Sequence, residues 1–123
     1  MARETEIERM LRICAERGLP EVVESTSYGS PSVKVRSKDF ASVHGPQEMV
    51  LHCPLEQKEL LMEIAPEIYW QTDHFKGWPG LLVRLDLISD EELGLRLEDA
   101  WRFRAPQRLA DEFAKAQAAR PRA

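Results

Sequence analysis

The chain is short of the groups on which most protein chemistry is built. Its 123 residues hold two cysteines, Cys14 and Cys53, too few and too far apart for a disulfide scaffold or a Cys-x-x-Cys metal or redox pair. Both read as reduced, buried thiols, since Cys14 falls on the apolar stripe of a helical pattern. No wholly apolar run approaches the roughly 20 residues of a membrane span. The N-terminal Met-Ala-Arg-Glu-Thr-Glu-Ile is charged from its third residue and has no apolar signal region, so a cytoplasmic protein is expected. The six glycines are scattered and form neither G-x-G-x-x-G nor a Walker pattern, which removes the common phosphate loops. Gly29-Ser30-Pro31-Ser32 is not a Gly-x-Ser-x-Gly elbow, and no serine, histidine and acid fall into a recognisable nucleophilic set. The three histidines, His44, His52 and His74, show no His-x-x-x-His spacing, and His52 and Cys53 are neighbours on a strand that points them to opposite faces. No cofactor, metal site or enzymatic activity is expected.

What is present describes one ordinary domain. Hydrophobic residues make up 43% and charged residues 31% of the chain, which suits a globular protein of this length rather than a disordered one. The net charge of -4 weighs against a protein that coats nucleic acid indiscriminately. That charge is segregated: residues 32–45 carry three basic and one acidic side chain and residues 102–123 carry six and two, whereas 46–75 carry one and six.

The periodicity names the elements. Thr5-Glu6-Ile7-Glu8 is a capping box, followed by Ile7, Met10, Leu11 and Cys14 at helical spacing, with Gly18 and Leu19-Pro20 as the stop. Val22–Thr26 is a short strand, and Ser32-Val33-Lys34-Val35-Arg36 alternates so that Val33 and Val35 face a core while Lys34 and Arg36 face water. Ser37-Lys38-Asp39 is read as a turn, Phe40–Val43 as a returning strand, His44–Gln47 as a second turn and Met49–Cys53 as the next strand. Pro54 opens a short helix carrying Leu55, Lys58, Leu61, Met62 and Ala65 on one stripe, ended by Pro66. Strands over Ile68–Thr72 and Leu81–Leu87 flank Thr72-Asp-His-Phe-Lys-Gly-Trp-Pro-Gly80, which is read as their connection. Ser89-Asp90-Glu91-Glu92 is a second capping box, and its helix buries Trp101. Leu109 and Phe113 mark a fourth helical segment, with a frayed tail at 117–123 after a single domain over 1–116. The fold class is α+β: a two-layer domain with an antiparallel sheet of five to six strands, covered on one face by helices.

Several short motifs recur in one order: Leu19-Pro20-Glu21-Val22; Tyr28-Gly29-Ser30-Pro31-Ser32-Val33-Lys34-Val35; Lys38-Asp39-Phe40-Ala41; Thr72-Asp73-x-Phe75-x-Gly77-Trp78; Arg84-Leu85-Asp86; and Trp101-x-x-x-Ala105-Pro106-x-x-Leu109. In this set the chain resembles the MmcQ/YjbR family from about Thr5 to Leu109. The resemblance implies a compact fold similar to the bacterial frataxin (CyaY) fold and to secretion chaperones, and a label of "double-wing" DNA-binding protein. It supplies no catalytic residues.

The basic residues carry the functional expectation. Lys34, Arg36 and Lys38 at i, i+2 and i+4, together with Lys76 and Arg84, are expected to contact phosphates, with Trp78 or Phe75 near a base. DNA is the first candidate partner. A protein-interaction or chaperone-like adaptor using an exposed sheet face is the alternative. Tyr28-Gly29 is read as a turn, and Trp78 as packed on the sheet.

Overall fold

The computed structural model describes residues 3–120. The capping box forms as the sequence spells it. The Glu8 amide donates to the Thr5 hydroxyl at 3.2 Å, the Thr5 amide donates to Glu8 Oε1 at 2.8 Å, and α1 runs Glu6–Glu16. Strands β1 (Val22–Ser27), β2 (Ser30–Val35), β3 (Lys38–Val43) and β4 (Glu48–His52) follow, then α2 (Leu55–Ile64), β5 (Tyr69–Trp70), β6 (Gly80–Arg84), α3 (Asp90–Arg104) and α4 (Gln107–Ala119). The six strands form one antiparallel sheet in the order β1-β2-β3-β4-β6-β5, so β6 inserts beside β4 and leaves β5 at the edge.

Register sorts the side chains between two faces. Val33, Ala41, Leu51 and Leu81 lie opposite one another across four strands, and all four are buried in the core. Ser32, Ser42, Val50, Leu82 and Trp70 form the corresponding row on the other face. Helices α1 and α3 cover the first face at its centre and α2 covers it near β5 and β6. Helix α4 reaches α3 through Phe113, whose ring meets Trp101 edge-on at 5.1 Å. Trp101 is fully buried and its indole N–H donates to Pro20 O at 3.0 Å, so the polar end of the largest core side chain is satisfied.

Several local expectations shift. Arg36 and Ser37, at φ +49° and +72°, make the β2–β3 turn, so Lys38 begins β3 instead of lying in a turn. A two-residue turn pairs Val35 with Lys38 and Lys34 with Asp39. Lys38 therefore has the facing of core residue Val35, opposite to Lys34, and the basic row of Lys34, Arg36 and Lys38 does not form. A bulge places both Phe40 and Ala41 in the core, because the register slips by one residue between Val33 and Lys34. The strand expected over Ile68–Thr72 keeps only Tyr69–Trp70, and the one over Leu81–Leu87 is Gly80–Arg84. The second capping box is half a box: Ser89 Oγ accepts from the Glu92 amide at 3.1 Å, while the Glu92 carboxylate accepts from the buried Tyr69 hydroxyl instead. Helix α4 continues to Ala119, past the expected start of the tail at 117, and residues 121–123 lie outside the described residues.

Arg9 ties the first helix to the connection after β6 and to the start of α3. Its Nη1 donates to Leu85 O at 2.6 Å, its Nη2 to Ile88 O at 2.8 Å and its Nε to Asp90 Oδ1 at 2.8 Å. Truncation leaves two part-buried carbonyls without a donor. Arg9→Ala is expected to cost about 2–4 kcal/mol in a urea unfolding experiment, with the m-value unchanged.

Candidate functional site

A cleft of about 690 Å³ opens on the sheet face that no helix covers among the described residues. Its floor is Ser42, Val50 and His52 from β3 and β4. One side is the β1–β2 turn with Tyr28 and Ser30, and the other is the connection between β5 and β6 with His74, Phe75 and Trp78. Asp39 and Arg104 also line it.

The aromatic wall is built from behind. The connection folds through a 3-10 turn, Asp73–Phe75, and returns at Gly77, whose φ of +77° suits glycine. The Lys58 side chain of α2, buried to 3% exposure, donates from Nζ to Phe75 O at 2.6 Å and to Trp78 O at 2.8 Å. Its place among the apolar residues of the α2 stripe is thus that of a cation clamping two loop carbonyls. The indole of Trp78 lies on Gly80: a Cβ there would sit 2.0 Å from the ring, so β6 must begin with glycine for the indole to seat. Trp78 meets His52 edge-on at 4.8 Å and Phe75 at 5.6 Å, and Phe75 meets His44 at 6.1 Å and His74 at 5.7 Å.

All three histidines thus converge on one aromatic pair, although nothing in their spacing links them. Among the described residues no group of three or more His, Cys, Asp or Glu side chains is arranged to hold a metal ion. His44 Nδ1 lies 3.2 Å from Glu48 Oε1, and the other oxygen of that carboxylate accepts from Trp70 Nε1 at 3.0 Å. Burial, reinforced by the charge of Arg104 and partly offset by Asp39, pushes His52 down to about 4, so its ring is neutral at pH 7. Arg104 is anchored by Nε donating to Asp39 O at 2.8 Å. Among the described residues no ion pair engages it, and it lines the cleft. The two cysteines are free and buried, and burial raises Cys14 to about 12 and Cys53 to about 11, the thiol rather than thiolate form.

The residues expected to bind phosphate are dispersed. Trp78 is in the cleft wall and Lys34 is on the same sheet face, opposite the cleft residue Asp39. Arg36 pairs with Glu21, and Lys76 pairs with Asp73 at 3.0 Å. Arg84 stacks 4.7 Å above the Trp70 ring and donates to Glu67 O at 3.2 Å, at the far edge of the open face. Lys38 is exposed on the helix side. Sequence reasoning missed Arg104, His52 and Lys58. A lysine inside an apolar helical stripe was the legible sign of Lys58, whereas Arg104 and His52 meet only through tertiary packing.

The YjbR family model matches residues 17–103, which includes the strands, the cleft connection and most of α3. The chain belongs to the YjbR family. It is also similar to the uncharacterized proteins Mb2600 of Mycobacterium bovis and Rv2570 and MT2646 of Mycobacterium tuberculosis, each 38% identical over 56 residues. That stretch covers 46% of this chain and 43% of each relative, so the match spans less than half of either protein. Among the described residues no helix is long and apolar enough to cross a membrane.

The neutral state of His52 makes a pH prediction. Its folded value of about 4 lies below the ordinary 6.5, so between those limits the unfolded chain binds the extra proton. This contribution to stability is fully present above about 6.5 and is lost as pH falls to about 4. His52→Gln is expected to reduce the acid loss measured by urea unfolding at several pH values by on the order of 2 kcal/mol. An unaltered acid limb contradicts the assignment.

Proposed function

We propose that this YjbR-family domain is a non-enzymatic binding module for unpaired DNA, with a base entering the open-face cleft. The carrying observation is the pairing of an aromatic wall, Phe75 and Trp78, with the anchored cation Arg104 in one uncovered cleft. Stacking is tolerant of base identity and supplies roughly 1–3 kcal/mol per base, while arginine answers the phosphate. Lys34 adds a second cation on the same face, without an ion-pair partner among the described residues. Two cations are few, and the chain as a whole carries -4, so recognition rests on stacking more than on charge. Duplex DNA keeps its bases stacked internally and does not present a ring to a recessed cleft.

The uncovered outer edge of β1, six residues long with Val23 exposed, favours a second reading in which an extended peptide adds a strand. The two separate by salt and by mutant. Fluorescence anisotropy is expected to show binding of a single-stranded oligonucleotide in preference to the duplex. Between roughly 50 and 200 mM salt the affinity should fall about 7-fold, for two neutralised phosphates. Trp78→Ala should weaken it by roughly 10- to 100-fold. Absence of single-strand binding at low salt rejects this function.

A further inference from the structure

Tyr28 pays a backbone cost that the fold does not repay. It occupies the first central position of the β1–β2 turn at φ +51°, followed by Gly29 at φ +82°. Two-residue turns with both central residues at positive φ favour Asn-Gly and Asp-Gly, because a bulky side chain resists the left-handed region. A tyrosine there is ordinarily rewarded by packing, yet Tyr28 is fully exposed at 106% and belongs to no core cluster. Tyr28 nonetheless lines the cleft, across the sheet from the connection that carries Phe75 and Trp78. Arg36 holds the same place in the β2–β3 turn at φ +49° but is tied to Glu21, whereas Tyr28 has no such partner in the fold and lies next to a cleft, which points to contact with what the cleft holds.

We propose that Tyr28 is a second stacking platform, which takes one base of an unpaired strand while Phe75 and Trp78 take another. This rests on the strand-binding reading above and adds to it the number and spacing of bases. Tyr28 stands beside β2, and the Trp78 indole stands over His52 of β4, two strand positions across the sheet. Two strand spacings are roughly 10 Å, and the register sets the Tyr28 turn at the Glu48 end of β4, roughly 13 Å along the strand from His52, against about 3.4 Å between stacked bases. Bases seated on the two platforms are therefore splayed, with the intervening backbone lying over the Ser42–Val50 floor and its charge toward Arg104. The ligand is a strand of two or more unstacked nucleotides, not a single nucleotide and not a duplex.

The experiment compares Tyr28→Asn, Tyr28→Phe and wild type, with oligothymidine and thymidine monophosphate as probes. Asparagine suits the turn, so Tyr28→Asn is expected to raise the thermal midpoint by roughly 3 °C while weakening oligothymidine binding about 10-fold. Tyr28→Phe keeps the ring and should bind as wild type does. Thymidine monophosphate, filling one platform, should bind at least 10-fold more weakly than oligothymidine. Oligothymidine binding that is unchanged in Tyr28→Asn overturns the second platform but leaves the strand reading intact. A lower thermal midpoint for Tyr28→Asn, or equal affinity for the mononucleotide, also overturns it. Failure of the wild type to bind oligothymidine at all overturns both.

Discussion

The clamp from Lys58 to the carbonyls of Phe75 and Trp78 is the contact on which the cleft depends. The nine-residue connection between β5 and β6 has no strand ladder of its own and is held by short turn hydrogen bonds within itself and by the Cys53 amide on Pro79 O. The buried ammonium gives the Phe75 and Trp78 carbonyls a further partner that water cannot easily displace, and burial in turn lowers its own pKa. Charge-assisted hydrogen bonds of this kind are about twice as strong as neutral ones, and removing the ammonium leaves each carbonyl with only its neutral backbone donor, the Trp78 amide for Phe75 O and the Gly80 amide for Trp78 O. The clamp is what turns a loop into a wall.

Everything in front of that wall follows from strand order. Because β6 pairs with β4, the end of the connection that enters β6 lies beside β4, where Pro79 O accepts from the Cys53 amide and the indole of Trp78 comes down on Gly80 and against His52. The same order explains the mixed chemistry of the cleft. Its floor comes from outward-facing strand positions, which hold Ser42, Val50 and His52, and its cation arrives from the C-terminal end of α3. A cleft assembled from five separate elements has no compact sequence signature.

Legibility divides along the same line. Thr5-x-x-Glu8, the alternation of Val33 and Val35, and the spacing of Leu93, Leu97 and Trp101 are local patterns, and the structure carries each of them into an element with the expected buried face. The turn at Arg36 and Ser37 was misplaced because neither residue is a customary left-handed one; the pairing of Lys34 with Asp39 enforces it. That shift by one residue is enough to send Lys38 to the other face, since strand facing has a period of two. Glu92 stands at capping-box spacing from Ser89, but the Tyr69 hydroxyl, distant in sequence, claims its carboxylate. Of the expected site, Trp78 and Phe75 reach the cleft, while the basic residues chosen by proximity in sequence scatter into ion pairs and onto both faces.

Hydrogen exchange in Lys58→Met tests the clamp most directly, because methionine keeps the unbranched apolar stem and removes the ammonium that donates to both carbonyls. The Trp78 amide, which donates to Phe75 O at 3.1 Å, and the Gly80 amide, which donates to Trp78 O at 2.8 Å, report on the wall itself. Both should exchange at least about 10-fold faster than in wild type, an opening made easier by 1.4 kcal/mol or more, in the range of a lost buried donor. Amides of the β2–β3 ladder should keep their protection relative to global unfolding. Unchanged exchange at Trp78 and Gly80 would contradict the claim that Lys58 holds the wall of the cleft.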